Sequence, residues 1–378
     1  MKFYFDVTPY FWRTEDRGGI YHYIERFLIH LPFGWRRKFI LFVRGRRVIN
    51  DQKLACFQQD WKIKWCKIPG QLHRIFPLLV GRGKFLSFWD DLPLLFGLKP
   101  FVVIHDLRAL FYEQTLKPLE ESLPLYPFFS RLTEYKQRRR YFSDRAKALQ
   151  RTLKRARGFI AISGFTASNL LKLGVQREKI KKIYHGPLPS AEEGALPPFL
   201  KGRDFLLYVG KVEPLKNIEG LLLAFGKLRC KFPEVFLVIA GPLTWYGRFL
   251  KANWPKLENV CFLDFVSPNT LEALYRKASC LVLPSFYEGF GLPVLEAMSR
   301  GLPVAASRAG AIPEIGGKAC IYFDPKDSDE ISRCLKELLQ EPELRRKLAQ
   351  WGKRRSRLFS WAKCVRETLA FIGAENLR

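Results

Sequence analysis

The sequence predicts an α/β protein built as two doubly wound domains with parallel sheets. Three observations carry that expectation. Short apolar runs alternate with helix-period segments through the second half, which is the pattern of βαβ units. At 378 residues the chain exceeds what one core of ordinary size accommodates. A stretch rich in Pro, Gly and Ala, without periodicity, lies at Gly186–Lys201 (GPLPSAEEGALPPFLK) and reads as a linker between two such halves. The expected division is a first domain at 1–186, a linker at 187–203, a second domain at 204–360 and a terminal helix at 361–378.

In the first half the predicted strands are Lys2–Val7, Lys38–Val43, Phe101–His105 and Gly158–Ile162, with helices at Tyr21–Leu31 and Ser163–Lys172. In the second half they are Phe205–Val209, Val235–Ala240, Val260–Phe265, Cys280–Leu283, Pro303–Ala306 and Ala319–Tyr322. Helical patterns succeed several of them, at Asn217–Lys231, Pro268–Lys277 and Ser328–Leu339. The tail from Glu341 is helical, with a break near Ser360–Trp361. Two such domains facing each other place ligands at the carboxyl ends of their strands, in the cleft.

Composition narrows the class. Hydrophobic residues make up 48% and charged residues 26%, a globular balance. No apolar run approaches the roughly 20 residues of a membrane helix. The opening MKFYFDVTPYF lacks the separate regions of a signal peptide. The eight cysteines form no C-x-x-C pair and have no histidine at zinc spacing; several lie within apolar runs and read as small core residues in a reducing compartment. A cytosolic protein without structural metal is expected.

Charge points to a partner. Sixty-four Lys and Arg against 36 Asp and Glu give a formal net charge of +28. Such an excess implies an anionic surface, either acidic lipid headgroups or nucleic acid. One cluster runs from Arg131 to Arg157 in a stretch of helical composition; a second holds Arg36, Arg37, Lys38, Arg44, Arg46 and Arg47 beside Phe33, Trp35 and Phe39. Basic residues mixed with aromatics fit docking at a membrane interface. No helix-turn-helix, RRM or KH signature supports nucleic acid.

The most informative segment is Leu283–Gly310, LPSFYEGFGLPVLEAMSRGLPVAASRAG. A buried-strand run, Cys280–Pro284, leads into a Gly-Phe-Gly-Leu-Pro turn, and Pro293 sits where a helix begins, because its missing N–H costs nothing there. The amides of Phe290, Gly291 and Leu292 can then point at a bound anion, reinforced by the helix dipole. Glu288 precedes the turn and Glu296 lies about one turn into the helix, so one carboxylate can face a sugar and the other a ribose with a diphosphate between them. Upstream, YVGKVEPLKN (Tyr208–Asn217) offers Lys211 and Lys216 between a strand and a helix. Gly18 and Gly19 precede a helix near Tyr21, where paired glycines permit close approach to phosphate. His105 and Asp106 end a strand, and a histidine there can donate to a sugar hydroxyl or phosphate oxygen, with a charge that responds near neutral pH. Ser163 is placed to cap its helix, as is Asp327 in the Asp327-Ser328-Asp329 run.

These motifs closely resemble the donor site of the retaining glycosyltransferases of family 4 (group 1), which have the GT-B fold. The resemblance covers nearly the whole chain, strongest over Phe205–Asp324 and thinner over Gly45–Pro100. It implies two Rossmann-like domains facing a cleft, with a C-terminal helix crossing back to the first. It implies that Glu288 contacts the transferred sugar and Glu296 the ribose hydroxyls. It implies that Lys211 and Lys216 bind the donor diphosphate; relatives mostly have arginine at the first position, and lysine loses the bidentate fork. Gly18 and Gly19 resemble the first-domain glycine loop, and the resemblance implies that His105 lies beside the transferred sugar. Gly310, in the run Arg308–Glu314, supplies the turn near the phosphates. The run Lys179–Gly186 (KIKKIYHG) departs from the family by ending without its aspartate.

By this resemblance the chain is expected to be a retaining, metal-independent hexosyltransferase with no cofactor beyond its nucleotide-sugar substrate, catalytic at His105 and Glu288. Many relatives with this Ile-Pro-Glu loop use GDP-mannose, so mannose is the expected sugar. The acceptor is a glycan or lipid-linked glycan, as in lipopolysaccharide or surface polysaccharide biosynthesis, met at the inner face of an anionic membrane through the basic first domain. Two alternatives stay open: a GT-B nucleotide-sugar 2-epimerase, and a non-enzymatic protein binding anions or nucleic acid.

Overall fold

Every strand pairing among the described residues is parallel, in two separate sheets. The computed structural model describes residues 2–7, 19–36, 39–44, 62–66, 83–88, 99–255 and 258–374. The chain divides into two compact units. One comprises Met1–Leu110, Ser143–Gly186 and Phe359–Arg378, and the other Phe111–Phe142 and Pro187–Leu358.

In the first unit the strands are β1 (Lys2–Asp6), β2 (Phe39–Arg44), β3 (Lys62–Cys66), β4 (Gly83–Ser87), β5 (Phe101–Ile104), β6 (Gly158–Ala161) and β7 (Ile180–Lys182), in the order β3-β2-β1-β4-β5-β6-β7. The order reverses at β1, which makes the sheet doubly wound. Helix α1 (Gly19–Ile29) buries Tyr23, Ile24, Phe27 and Leu28, a spacing of one helical face. Phe27 meets Phe5 and Phe88 edge-on, with centroids 5.8 and 4.9 Å apart. Strands β3, β4 and β7 have no counterpart among the predicted elements. Phe39 is a core residue stacked on Phe5 at 4.5 Å, which removes it from the expected interfacial group. Phe33 is 68% exposed beneath the Arg36 guanidinium. Gly18, Arg37, Lys38, Arg46 and Arg47 lie outside the described residues.

The second unit carries β8 (Phe205–Val209), β9 (Phe236–Ala240), β10 (Val260–Asp264), β11 (Cys280–Leu283), β12 (Val304–Ser307) and β13 (Cys320–Phe323), ordered β10-β9-β8-β11-β12-β13. β8 and β11 match the predicted bounds and the other four lie within one residue at each end. Strands β11 and β12 are buried at every residue, as expected where both faces of a parallel sheet are covered.

The segment Phe111–Phe142, expected in the first domain, belongs to the second unit. Its contacts give the reason. The Leu125 amide donates to the buried Glu219 carboxylate at 2.6 Å, and fully buried Phe129 packs edge-on against Tyr246 at 5.2 Å. Helix α2 (Thr133–Arg155) therefore runs from one unit into the other. Its cations are not all surface charge. Arg138 is 10% exposed and pairs at 2.6 Å with Glu120, which is fully buried and also accepts from the Tyr112 hydroxyl. Lys136, Arg139, Arg140, Lys147, Arg151, Lys154 and Arg155 are exposed.

The unit boundary falls after Gly186, and residues 187–203 group with the second unit. Rather than spanning freely, they are tied down where the Gly194 amide donates to the Asn269 carbonyl at 3.0 Å. The terminal helix Trp361–Phe371 belongs to the first unit. It buries Trp361, Cys364, Val365, Thr368 and Leu369, places Cys364 Sγ 3.3 Å from the Tyr23 hydroxyl and sets Phe371 edge-on to Phe101. Among the described residues no helix is long and apolar enough to cross a membrane.

Candidate functional site

In the second unit the strand order reverses at β8, between β9 and β11. The loops leaving the carboxyl ends of β8 and β11 therefore flank a crevice, where open parallel sheets bind ligands. A short helical turn, Pro214–Lys216, ends the first loop. Its Lys216 ammonium meets Glu288 of the second loop at 2.6 Å, and the Ser285 hydroxyl donates to the same carboxylate oxygen at 2.9 Å. The two loops are stitched by the Phe286 amide on the Leu215 carbonyl at 2.9 Å.

Asn217, one residue on, holds this corner together. It is buried, adopts a left-handed φ of 54°, and its side-chain oxygen accepts from the Gly220 amide to cap helix α3 (Ile218–Arg229). Its amide nitrogen donates to the Pro284 and Pro325 carbonyls at 3.3 and 2.6 Å. The sequence pattern marks Asn217 only as a helix start; the αL tolerance of asparagine directly after Lys216 is the signal of its corner role.

Helix α4 (Leu292–Arg300) starts at Gly291, whose φ of 93° suits glycine. Pro293 stands in its first turn, so a short apolar strand feeds a glycine turn and a helix N-terminus, the geometry that favours anions. Phe290 is buried beside this turn. Gly310 has a φ of 59°, and a Cβ there would run into the Glu288 backbone. The same backbone accepts from the Ala311 amide at 2.9 Å, which locks the Gly310 loop against Glu288. Glu296 is buried, one turn into α4, and its Oε2 accepts from the Tyr275 hydroxyl at 2.7 Å. Lys211 is half-buried on the β8 loop, with its carbonyl accepting from the Tyr208 hydroxyl at 2.9 Å. Burial first, and the neighbouring Glu288 charge second, push the Tyr208 phenol well above its usual range.

The structure thus brings Lys216, Glu288 and the Gly291 turn together, with Gly310 behind Glu288 and Glu296 on the next turn. Gly19 and His105 belong to the first unit. Gly19 is exposed at the start of α1, and among the described residues nothing lies within 4 Å of a Cβ built there. His105 stands just after β5 and its Nε2 lies 3.1 Å from the Phe88 carbonyl. A carbonyl only accepts, so Nε2 carries the proton and Nδ1 is left as an acceptor. Burial lowers the ring's pKa to about 4. His105 is therefore neutral at physiological pH, which corrects the expectation of a charge that responds near neutrality. With Nε2–H spent on the Phe88 carbonyl, Nδ1 offers a lone pair rather than a proton. Tyr23 packs edge-on against His105 at 4.9 Å and against His185 at 5.6 Å. His185, three residues before the point where the family aspartate is missing, stacks on Trp361 at 5.0 Å. Ser163 and Asp327 are caps, accepting from Thr166 and from Asp329 and Glu330 amides.

Against solved structures, the chain matches HepE of Anabaena in complex with UDP and glucose with a TM-score of 0.69, 16% identity and coverage of 99% of this chain and 100% of that one. The fold is GT-B. Residues 196–355 match the family described as "Glycosyl transferases group 1". This match falls in the second unit, where the Lys216–Glu288 pair lies. Among curated relatives, the chain is 33% identical over 242 residues to the O-antigen chain mannosyltransferase B of Escherichia coli, covering 59% of this chain and 62% of that one. It is 37% identical over 163 residues to the MMP alpha-(1->4)-mannosyltransferase of Mycolicibacterium hassiacum, covering 42% of this chain and 39% of that one. The chain therefore spans less than two thirds of the length of these relatives.

Proposed function

We propose that this chain is a retaining GT-B glycosyltransferase of family 4 that takes a hexose from a nucleoside-diphosphate sugar and passes it to a glycan or lipid-linked acceptor. The observation that carries this reading is the Lys216–Glu288 pair at 2.6 Å beside the Gly291 helix N-terminus. Breaking the bond between the sugar carbon and the diphosphate oxygen builds negative charge on the leaving group and positive charge on the sugar. Lys216, Lys211 and the helix N-terminus supply fixed positive charge for the first. The Glu288 carboxylate, released from Lys216 as the diphosphate arrives, takes a sugar hydroxyl and stabilises the second. Glu296 holds the ribose. His105 accepts a hydrogen bond from a sugar hydroxyl at Nδ1 and stays neutral. No side chain is assigned as a covalent nucleophile, and the chemistry assigned to these residues calls for no metal.

Mannose is the first choice of sugar and GDP-mannose of donor, supported by the two mannosyltransferase relatives. Surface polysaccharide or lipopolysaccharide biosynthesis is the corresponding setting, at the cytoplasmic face of a membrane. Exposed cations of α2, with Phe128 and Tyr141 at 64% and 57% exposure, form the proposed contact with anionic lipid.

A thermal-shift series with GDP, UDP, ADP and their hexose conjugates, on the wild type and on Glu296→Ala, tests the donor site. Stabilisation by one base, lost in the variant, supports it, and no shift with any nucleotide overturns it. Incubation with the binding sugar nucleotide and a glycan acceptor, with NMR of the product's anomeric proton, tests retention. Cosedimentation with anionic against neutral vesicles, with duplex DNA as competitor, tests the membrane surface; equal affinity for DNA would favour an anion-binding role.

A further inference from the structure

Glu296 reaches its position through a neighbour that its own sequence context does not show. Tyr275 is buried on helix Pro268–Lys277, and its hydroxyl donates to Glu296 Oε2 across the helix pair at 2.7 Å. The ring is held in turn. The Arg300 guanidinium lies 4.9 Å over it, and Arg300 Nε donates to the fully buried Glu272 at 2.7 Å. Arg300 Nη1 also donates to the Glu296 backbone carbonyl at 3.2 Å. Glu272 and Tyr275 stand three residues apart on one helix, Glu296 and Arg300 four apart on the other, so each pair shares a face. Three charged groups and one phenol thus lock two helices in one register.

We infer that Tyr275 is a positioning residue for nucleotide recognition: by holding Oε2 it fixes the Glu296 carboxylate in the orientation that takes a ribose diol, and so sets the preference for ribonucleotides over deoxyribonucleotides. This rests on the reading of Glu296 as the ribose ligand. A carboxylate rotates freely about its last bond unless one oxygen is held, and a bidentate grip on two adjacent hydroxyls needs the carboxylate plane fixed beforehand. The phenol suits the task because burial and the adjacent carboxylate raise its pKa well above the usual range, so it donates at every working pH. Arg300 and Arg276 both donate to Glu272 beside it, at 2.7 and 2.8 Å, which anchors the Arg300 guanidinium over the ring.

The test is calorimetric titration of GDP and 2′,3′-dideoxy-GDP, with the UDP pair in parallel, into wild type, Tyr275→Phe and Arg300→Lys. The wild type should bind the ribonucleotide about tenfold or more tighter than its dideoxy form, the scale of a hydrogen bond to a charged group. Tyr275→Phe should lose about tenfold on the ribonucleotide and nothing on the dideoxy form, with the donor KM raised and kcat nearly unchanged. Arg300→Lys keeps the charge against Glu272 but not the flat cation over the ring, and should show a smaller loss of the same kind. If Tyr275→Phe weakens both nucleotides equally, or neither, the tyrosine is structural and the inference falls while Glu296 keeps its role. If the wild type itself does not distinguish the two sugars, the ribose reading of Glu296 falls and takes this inference with it.

Discussion

Lys216 and Glu288 stand 72 residues apart in the chain and meet at 2.6 Å with side-chain exposures of only 16% and 14%. Each is the other's compensation in a place with little water, so removing one leaves an unbalanced partner. Lys216→Met should weaken nucleoside-diphosphate binding and lower kcat/KM by about 100-fold or more, because a phosphate-facing cation is lost as well. Glu288→Gln should lower kcat by about 100-fold while changing nucleotide affinity only a few-fold. Initial rates combined with calorimetry separate the two patterns. Equal loss of affinity in both variants would remove the division of labour between cation and carboxylate.

Gly310 supports Glu288 from behind, and its backbone conformation leaves no room for a side chain. With φ at 59°, alanine costs about 1 kcal/mol in conformation alone. Its Cβ must also displace the Glu288 backbone, whose carbonyl accepts from Ala311 at 2.9 Å. Gly310→Ala should therefore reduce kcat/KM by about tenfold or more, since a displacement of about 1 Å at a reacting group has large effects. Thermal stability should fall by only a few degrees. Activity and melting temperature measured on the same preparation check this; loss of both in proportion would make the glycine merely structural.

Asn217 gives a prediction that runs against residue similarity. Its amide nitrogen faces two carbonyl oxygens, those of Pro284 and Pro325, while its oxygen caps the helix. Asn217→Asp keeps the shape and the cap but turns two hydrogen bonds into repulsion between oxygens in a buried position. Asn217→Gly loses the bonds but keeps the left-handed backbone at low cost. The aspartate variant should be the less stable of the two, by about 2 kcal/mol. Urea unfolding of both, with the slope held constant, decides the order.

How much of this could be read from the chain depends on how local the information is. Strands β8 and β11 were legible because FLLYV and CLVL are short buried runs bounded by turn residues. Strand β3, KIKWC, places lysines at alternate positions and so looks like surface. The grouping of Phe111–Phe142 with the second unit rests on Leu125 meeting Glu219 and Phe129 meeting Tyr246, pairs far apart in sequence that no periodicity encodes. Site residues were legible where the motif itself was contiguous, as with Glu288 and Glu296. Ser285 and Asn217 sat inside contiguous motifs but carried no signal of their bonding, and Tyr275 lay outside them. For His105 the chemistry was misjudged because its tautomer and charge depend on Phe88 and on burial.

Burial of His105 and His185 in the first unit should show as acid sensitivity. Burial lowers His105 from 6.5 to about 4 and His185 from 6.5 to about 3. Above pH 6.5 both rings are neutral folded and unfolded, and they add nothing to the pH dependence. Below it the unfolded chain binds protons that the folded chain does not, so stability falls as pH drops from about 6.5, toward 4 for His105 and toward 3 for His185, at a cost when complete on the order of 3 kcal/mol for the first ring and 5 kcal/mol for the second. His185→Phe keeps the stack on Trp361 and removes one of the two titrating groups. Its unfolding midpoint should therefore fall less steeply than the wild type's between pH 6.5 and 4, by a slope of about one proton. Carboxylates elsewhere, including the buried Glu120 and Glu219, titrate in both proteins and cancel in the comparison. Urea midpoints at closely spaced pH values give the two slopes, and parallel curves would mean that His185 titrates alike in the folded and unfolded chain.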